Sequence, residues 1–442
     1  APEVILVAKD EVRVAAGATV EGSGTIPSAP GETLSLDGDG AMLRVAAASQ
    51  VQVRRVNSSG ATGVLEVDEG ATLRASRSMT LDASQATRMR GMLDMNGGSL
   101  NLGATQVSVG AVPDGTAGLV LTERQLAGFS VDELVLTSRN AVNIHGAVDL
   151  HAKNLAIEAQ GLTGHGLGSE QAANITAGSF RMANPNPSTA VSRSGSGTLN
   201  IRADDVVLGA GSYAISGYER VNVEAAREIR GSGVGELKVA GELQLTTPRI
   251  TGEKRAATHI TAVDETNAAN PAYRAVRIAL PGTAPVDLDR INALGAALTV
   301  TGKNVTHAGR IELPAGRVAL NAKGADASDA VTLAAGARID AAGAAVAFGD
   351  TVKYAPGGSV ELTSAHGDVE VADGARVDVS GAPAGKDGPA GGDAGRLVMR
   401  ASEGTVQVDG VLRGQAEPGY RGGEFLLDAK VLAAEVGGNG YS

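Results

Sequence analysis

Short strings in which apolar and polar residues alternate recur along the whole chain. Three of them follow one another between residues 357 and 381: Val360-Glu361-Leu362, Val369-Glu370-Val371 and Val377-Asp378-Val379. Alternation over a few residues is the period of a β-strand with one buried face, because successive side chains point to opposite sides. Glycine and other small residues separate the strings, and glycine supplies the backbone conformations that tight corners need. The pattern predicts many short strands joined by corners.

The strings are grouped in threes, and the groups repeat. Groups begin at Gly316, Gly358 and Gly395, a fourth begins at Gly423, and residues 1–24 follow the same plan. The spacing of about 40 residues lies within the range that is typical of solenoids and repeat arrays. Three half-buried strands per repeat predict one coil of a right-handed parallel β-helix, in which strands of successive coils pair in parallel. We therefore expect an all-β solenoid with three short strands per coil, loop insertions and short helices.

A β-sandwich or a propeller would also use many short strands. These folds favour antiparallel hairpins with two-residue Asn-Gly or Asp-Gly turns and one or two buried aromatic residues per domain. Such turns are not regular in this chain, and aromatic residues make up only 2% of it. The β-helix is the preferred interpretation.

The regularity of the pattern divides the chain into four predicted parts. Residues 121–126 predict a short helix or an ordered loop, and residues 287–294 predict a further short helix. The parts are β-helix coils at 1–110, coils with loop insertions at 111–251, an irregular proline-containing insertion at 252–297, and regular β-helix repeats at 298–442.

The corner after the third strand is the long one in each regular repeat. These corners span residues 344–357, 382–394 and 414–422. Because coils stack in register, we expect the three loops to line up along one edge. Tyr354 and Tyr420 lie in them, and tyrosine offers amphipathic contact area at low entropic cost. The two tyrosines are candidate contact residues, and the structural alternative is that each ring covers its own glycine-rich loop.

Composition and charge exclude several classes of function. The chain has no cysteine, which excludes disulfides, thiolate catalysis and cysteine-based metal sites. Its net charge of -11 disfavours nucleic acid as a partner. Its longest apolar runs fall short of the ~18 residues that a membrane span needs, so we expect no transmembrane segment.

Enzymes that act on polysaccharides are the main rival class for a β-helix. Glycoside hydrolysis needs two carboxyl groups that face one cleft. The adjacent pair Asp204-Asp205 lies between two strand strings, and we interpret it as a solvated corner. We therefore expect no catalytic residues.

Metal and cofactor motifs are incomplete. His145 and His151 are the only histidines close in sequence, and a zinc site would need two further ligands. Asp37-Gly38-Asp39-Gly40 begins like a calcium loop, but its twelfth position is Ala48 where the loop requires glutamate. We expect neither a metal site nor a bound cofactor.

The C-terminal third resembles a known family. The strings THAGRIELPAGRVALNAKG, VTLAAGARIDAAG and GGDAGRLVMRA, all between residues 298 and 430, are similar to those of large exoproteins of the filamentous haemagglutinin type. The secretion domain of that family usually carries Asn-Pro-Asn followed by Gly or Leu near its start. Here Asn184-Pro185-Asn186 is followed by Pro187 in mid-chain, so we interpret it as a turn.

The resemblance implies a function outside the cell. It implies a long β-helical shaft of a secreted, surface-associated protein that presents binding loops to a receptor or glycan of a host or bacterial surface. It also implies an outer-membrane transporter of the two-partner type for the parent protein. We expect a monomeric rod without catalysis. A carbohydrate-active β-helix enzyme and a segment of a phage or tailocin fibre are the alternatives.

Overall fold

The computed structural model describes residues 1–25, 33–282, 292–348, 351–384 and 391–433. The fold is all-β, with 55% of residues in strands and 1% in helix. By hydrogen bonding, 32 of the described strands belong to one mixed sheet that does not close on itself. The chain divides into two compact units, Ala1–Ala190 with Ser196–Leu199 and Ser212–Gly217, and Val191–Gly195 with Asn200–Gly211 and Tyr218–Ser442.

The strands are short and follow one another closely along the chain. In the first half they are β1 Glu3–Ala8, β2 Glu11–Val14, β3 Thr19–Gly22, β4 Thr33–Asp37, β5 Ala41–Ala46, β6 Gln52–Val56, β7 Val64–Val67, β8 Thr72–Ala75, β9 Ser78–Ala83, β10 Ala86–Met89, β11 Met92–Asp94, β12 Ser99–Ala104, β13 Val107–Gly110, β14 Leu119–Leu121, helix α1 Glu123–Ala127, β15 Glu133–Ser138, β16 Val142–His145, β17 Asp149–Glu158, β18 Gly161–His165, β19 Ala172–Ala183, β20 Thr198–Leu208 and β21 Gly211–Ser216. In the second half they are β22 Arg220–Gly231, β23 Val234–Val239, β24 Glu242–Thr246, β25 Ile250–Gly252, β26 Ala257–Asp264, β27 Ala272–Tyr273, β28 Val276–Ala279, β29 Ala297–Gly302, β30 Val305–His307, β31 Arg310–Glu312, β32 Arg317–Ala322, β33 Val331–Leu333, β34 Arg338–Asp340, β35 Ala345–Phe348, β36 Thr351–Tyr354, β37 Ser359–Ser364, β38 Val369–Val371, β39 Arg376–Asp378, β40 Arg396–Val408, β41 Val411–Arg413 and β42 Glu424–Ala433.

Helix α1 confirms the expectation at residues 121–126. Thr122 caps it: its hydroxyl accepts from the backbone N–H of Gln125, and the Gln125 side chain accepts in return from the Thr122 N–H. This reciprocal arrangement satisfies two donors that a helix start leaves unpaired. Most of the second predicted helix, at 287–294, lies outside the described residues.

The first unit begins differently from the predicted plan. Residues 1–24 do form three strands, and β2 and β3 pair in parallel with β7 and β8. However, β1 pairs antiparallel with β5, and β5 pairs antiparallel with β9. The expectation of parallel coils was wrong here, because alternation specifies which side chains are buried and leaves the direction of the neighbouring strand open. Further along the unit, β9, β12, β15, β17 and β19 pair in parallel.

The second unit contains three ladders of parallel strands. The first ladder is β23, β26, β29, β32, β37, β40 and β42; the second is β24, β28, β30, β33, β38 and the end of β40; the third is β25, β31, β34, β39 and β41. From β29 onward, apart from the hairpin β35–β36, consecutive strands belong to successive ladders, and β40 is long enough to contribute to the first two. Two short antiparallel hairpins, β26–β27 and β35–β36, also occur in this unit.

The core of the second unit consists of aliphatic side chains stacked in register. One such row in the first ladder is no more than 3% exposed in any member: Leu237, Ile260, Val300, Leu320, Leu362 and Met399. In β38, Val369 and Val371 are buried and Glu370 is only half-buried, as the alternation predicts. Burial of each such side chain contributes about 1.5–3 kcal/mol, and each member covers its neighbours in the adjoining strands.

The length of chain between stacked residues is less uniform than the sequence suggested. Val318 pairs with Val360, in agreement with the predicted repeat, but Leu298 pairs with Val318, which is about half as far along the chain. The shortest repeats therefore span about as many residues as the chain between Leu298 and Val318, and longer repeats carry their additional residues in loops.

One polar side chain interrupts the aliphatic rows. His307 is fully buried between Ile278 and Leu333, its register partners in the second ladder. Its Nε2 lies 3.1 Å from the carbonyl oxygen of Arg338, and among the described residues its Nδ1 has no hydrogen-bond partner. Burial disfavours the charged ring and lowers the pKa of His307 to about 4.

Replacing His307 by leucine should therefore make the protein less sensitive to acid. In the unfolded chain His307 becomes protonated below pH ~6.5, whereas in the folded chain it stays neutral down to about pH 4. This difference lowers the free energy of unfolding of the native protein by about 2 kcal/mol between pH 8 and pH 5. Urea unfolding measures the difference in the free energy of unfolding between His307→Leu and the native protein. This difference should be about 2 kcal/mol more favourable to the variant at pH 5 than at pH 8. Leu333→Met is the control and should shift stability equally at both pH values. Parallel pH profiles for His307→Leu and the native protein would contradict the assignment.

Candidate functional site: a groove beside the long loops

A row of glycines begins the strands of the first ladder. The carbonyl oxygens of Gly316, Gly358 and Gly395 accept hydrogen bonds of 2.9–3.0 Å from the first N–H of the next strand. A Cβ on Gly358 would lie 1.9 Å from the Gly316 oxygen, and a Cβ on Gly395 would lie 1.8 Å from the Gly358 oxygen. Only glycine fits these positions, because any side chain would collide with the backbone of the preceding strand.

An open groove of about 820 Å³ runs across this glycine row. Most of its lining is glycine or alanine, so the floor is largely backbone. The lining residues are Arg255, Ala256, Ala257, Gly295, Ala297, Ala315, Gly316, Arg317, Gly357, Gly358, Ser359, Asp393, Ala394, Gly395, Arg396, Arg421, Gly422 and Glu424. All of them belong to the second unit.

Charged side chains line the groove. Arg421 Nη2 lies 2.8 Å from Asp393 Oδ2, and Arg396 Nε lies 3.3 Å from Glu424 Oε2. The backbone N–H and the guanidinium of Arg421 lower the pKa of Asp393 below its ordinary value, which keeps this carboxylate ionised. Arg255 and Arg317 are exposed, and neither has an ion-pair partner among the described residues. Arg255 also has a left-handed backbone, with φ of 60°.

The three long loops contact one another, which confirms the predicted stacking where the loops are described. The Gly357 N–H of the first loop donates to the Asp393 carbonyl oxygen of the second at 2.8 Å. The Ala394 N–H donates to the Arg421 oxygen at 2.8 Å. The ends of these loops supply part of the groove lining, so groove and loops form one surface.

Tyr354 and Tyr420 lie on this edge, separated by the middle loop. Tyr354 is half-buried at the end of β36, in the hairpin that the first long loop forms. Tyr420 is 37% exposed, and a Cβ on Gly391 would lie 3.2 Å from its ring. A Cβ on Gly392 would lie 2.7 Å from the Ala355 oxygen. Tyr420 thus covers a glycine of the preceding loop. The structural alternative from the sequence expected each ring to cover a glycine of its own loop.

The adjacent carboxylates Asp204 and Asp205 do not lie at a free corner. They lie inside the continuous strand β20, although the alternation of buried residues changes phase there. Asp205 forms an ion pair with Arg227 of β22, the neighbouring strand. The expectation of a corner was wrong because residues 198–208 form one uninterrupted strand.

The histidines and the aspartate-glycine string have structural roles. His145 stacks on His165, its register partner, with ring centroids 4.8 Å apart, whereas His151 pairs with Thr176. Partial burial lowers the pKa of both stacked rings, and for His145 the neighbouring ring adds to this effect.

The carboxylate of Asp39 accepts hydrogen bonds from the hydroxyls of Ser58 and Ser59 and from backbone N–H groups of residues 59–62. The Ser59 and Ser58 hydroxyls hold the pKa of Asp39 well below its ordinary value. The carboxylate is therefore occupied by donors that close a loop. Within the described part of the chain, no group of three or more His, Asp or Glu side chains could hold a metal ion.

Asn184-Pro185-Asn186 forms a turn, as predicted. The Asn184 Oδ1 accepts from the Asn186 N–H at 2.9 Å, and the Asn184 Nδ2 donates to the Ser188 and Ser212 oxygens. The side chain thus takes the place of a backbone turn contact.

The sequence predicted the loops and missed the groove. The glycines that begin each repeat can be recognised in the sequence. Arg255 and Arg317, however, are remote from each other in the chain, so the sequence does not show that they line one groove. A search for a basic residue directly after the first glycine would have found Arg317 and Arg396.

Comparison with protein-family models, curated proteins and solved structures finds no match to this chain. Among the described residues, no helix has the length and apolar character required to cross a membrane. The filamentous haemagglutinin-type resemblance therefore stays a prediction from the sequence.

Replacing Gly358 by alanine should destabilise the second unit by about 2–4 kcal/mol, because the new methyl group would collide with the Gly316 backbone. Gly422→Ala in the same groove is the matched control. A Cβ on Gly422 meets nothing within 4 Å, so this change should stay within about 0.5 kcal/mol. Thermal and urea unfolding of both variants measure the difference, and equal stabilities would show that the glycine row is not needed for close strand packing.

Proposed function

We propose that this chain is a structural and adhesive shaft segment of a secreted bacterial surface exoprotein. Its strands would form coils of a right-handed parallel β-helix, and its long loops would contact a receptor or glycan. The observation that carries the proposal is the residue-by-residue parallel register of the three ladders in the second unit.

The register supports a load-bearing role. Each strand of the three ladders is hydrogen-bonded in parallel to its ladder neighbours, and the row from Leu237 to Met399 in the first ladder is aliphatic throughout. In solenoids each repeat contacts only its neighbours, so stability accumulates with repeat number. This is the property that a spacer between a cell surface and a binding tip requires.

The stacked loops support the adhesive part of the proposal. They bring groups that are remote in sequence to one edge, with a half-buried Tyr354, a partly exposed Tyr420 and the groove beside them. Repeated loops on one edge can contact an extended partner at several points.

Adhesion assays with the purified chain test this role. Beads that carry the native chain should bind epithelial cells or bacterial cells. Tyr354→Ser combined with Tyr420→Ser should reduce binding about tenfold, the effect expected for two interface tyrosines, while melting stays nearly unchanged. Tyr273→Ser, a half-buried tyrosine away from the loops, is the control and should bind like the native chain.

Location provides an independent check. Antibodies against the chain should label intact cells of the source bacterium, and protease added to those cells should remove the label. Labelling that requires permeabilised cells would contradict a surface shaft.

For the adhesion assay, unchanged adhesion of the double tyrosine variant would exclude the loop edge as the contact surface.

A further inference from the structure

Arginines line the groove at separate points along the first ladder. Ala257, Ala297 and Arg317 are register partners in β26, β29 and β32, and Arg255 precedes Ala257 by two residues. On the other side, Arg317 pairs with Ser359, which pairs with Arg396. Since neighbouring strands lie about 4.8 Å apart, Arg317 and Arg396 lie about 10 Å apart along the ladder. Arg255 lies two strands from Arg317 on the other side and is displaced by two residues, so the separation there is slightly larger.

Two of these arginines have unused binding capacity in the described structure. Arg396 faces Glu424 and Arg421 faces Asp393, whereas the exposed Arg255 and Arg317 have no ion pair among the described residues. A guanidinium presents a planar fork of donors that matches a carboxylate with two parallel hydrogen bonds. The groove therefore favours carboxylates at two separate points.

The shape and charge of the surroundings narrow the class of ligand. The floor between the arginines is glycine and alanine backbone, which lets a thin, extended chain approach closely. The protein has a net charge of -11, so it repels a long polymer that carries a negative charge on every unit. A short segment with a few spaced carboxylates avoids most of this repulsion.

We propose that the groove binds an extended acidic peptide segment that lies along the ladder, across the strands. In the polyproline II conformation an extended peptide rises about 3.1 Å per residue and has three residues per turn. Carboxylates on every third residue therefore share one face, about 9 Å apart, and reach Arg255 and Arg317 together. This site is separate from the tyrosine edge in its chemistry, and it does not depend on the chain being a surface shaft.

Fluorescence anisotropy with a labelled peptide tests the site. The probe is fluorescein-Gly-Glu-Gly-Ser-Glu-Gly-Ser-Glu-Gly at low ionic strength. Two matched peptides carry glutamine at the same positions or carry the three glutamates consecutively. The native chain should bind the spaced probe, bind the consecutive one several-fold more weakly, and show no measurable affinity for the glutamine peptide.

Charge-removing variants locate the site on the protein. Arg255→Gln combined with Arg317→Gln should weaken binding of the spaced probe at least tenfold, because each lost charge-assisted contact is worth about a tenfold change. Arg277→Gln is the control, since Arg277 is an exposed arginine on β28 outside the groove. Both arginines of the double variant are exposed, and thermal melts verify that it remains folded.

Three results with the peptides and variants would overturn the proposal, and a fourth result would reassign the groove. They are equal binding of the probe by the double variant and the native chain, equal loss in the Arg277→Gln control, and equal affinity for the glutamine peptide. Tighter binding of a sulfated oligosaccharide with the same number of charges would assign the groove to a glycan instead.

Discussion

In-register parallel hydrogen bonding between successive strands is the interaction on which the described second unit depends. A parallel ladder fixes which residue lies over which, and a shift by one residue would turn every apolar side chain outward. The rows of Val, Leu and Ile therefore stabilise the register, and the register in turn makes those rows continuous. Neither the rows nor the ladders would persist alone, since a single coil of short strands cannot cover its own apolar side chains.

The same constraint determines where side chains are forbidden and where they collect. Paired strands approach so closely that no Cβ fits at the position before each first-ladder strand from β32 onward. Glycine is therefore required at Gly316, Gly358 and Gly395. The absence of side chains along this row leaves the floor of the groove open. Residues just after the glycines point outward from the same row, and this is how Arg317 and Arg396 come to line one surface.

Much of this arrangement could be predicted from the sequence. Alternation identified the buried residues of β38, and the repeated glycines identified the start of each repeat and the stacking of the long loops. Strand direction could not be predicted, because the residue patterns of β1 and β5 are compatible with either a parallel or an antiparallel neighbour. The groove could not be predicted either, since Arg255 and Arg317 are joined through two intermediate strand pairings. The stack of His145 on His165 depends on a register that the sequence does not state. A burial pattern indicates which face of each strand is buried, whereas a site depends on which strands pair and so which side chains come together.

Removal of one complete repeat tests the central claim most directly. Deleting residues 318–359 joins Arg317 to Val360 and places Arg317 where Ser359, its register partner, had been. One strand is thereby lost from each of the three ladders of the second unit, and the remaining rows stay in register. Deleting residues 304–345 removes the same number of residues but takes two strands from the second and third ladders and one from the first. The account predicts that the first variant retains the β-sheet circular dichroism spectrum and a cooperative melt, while the second loses both. Equal loss of structure in the two variants would contradict the claim that register between repeats holds this fold together.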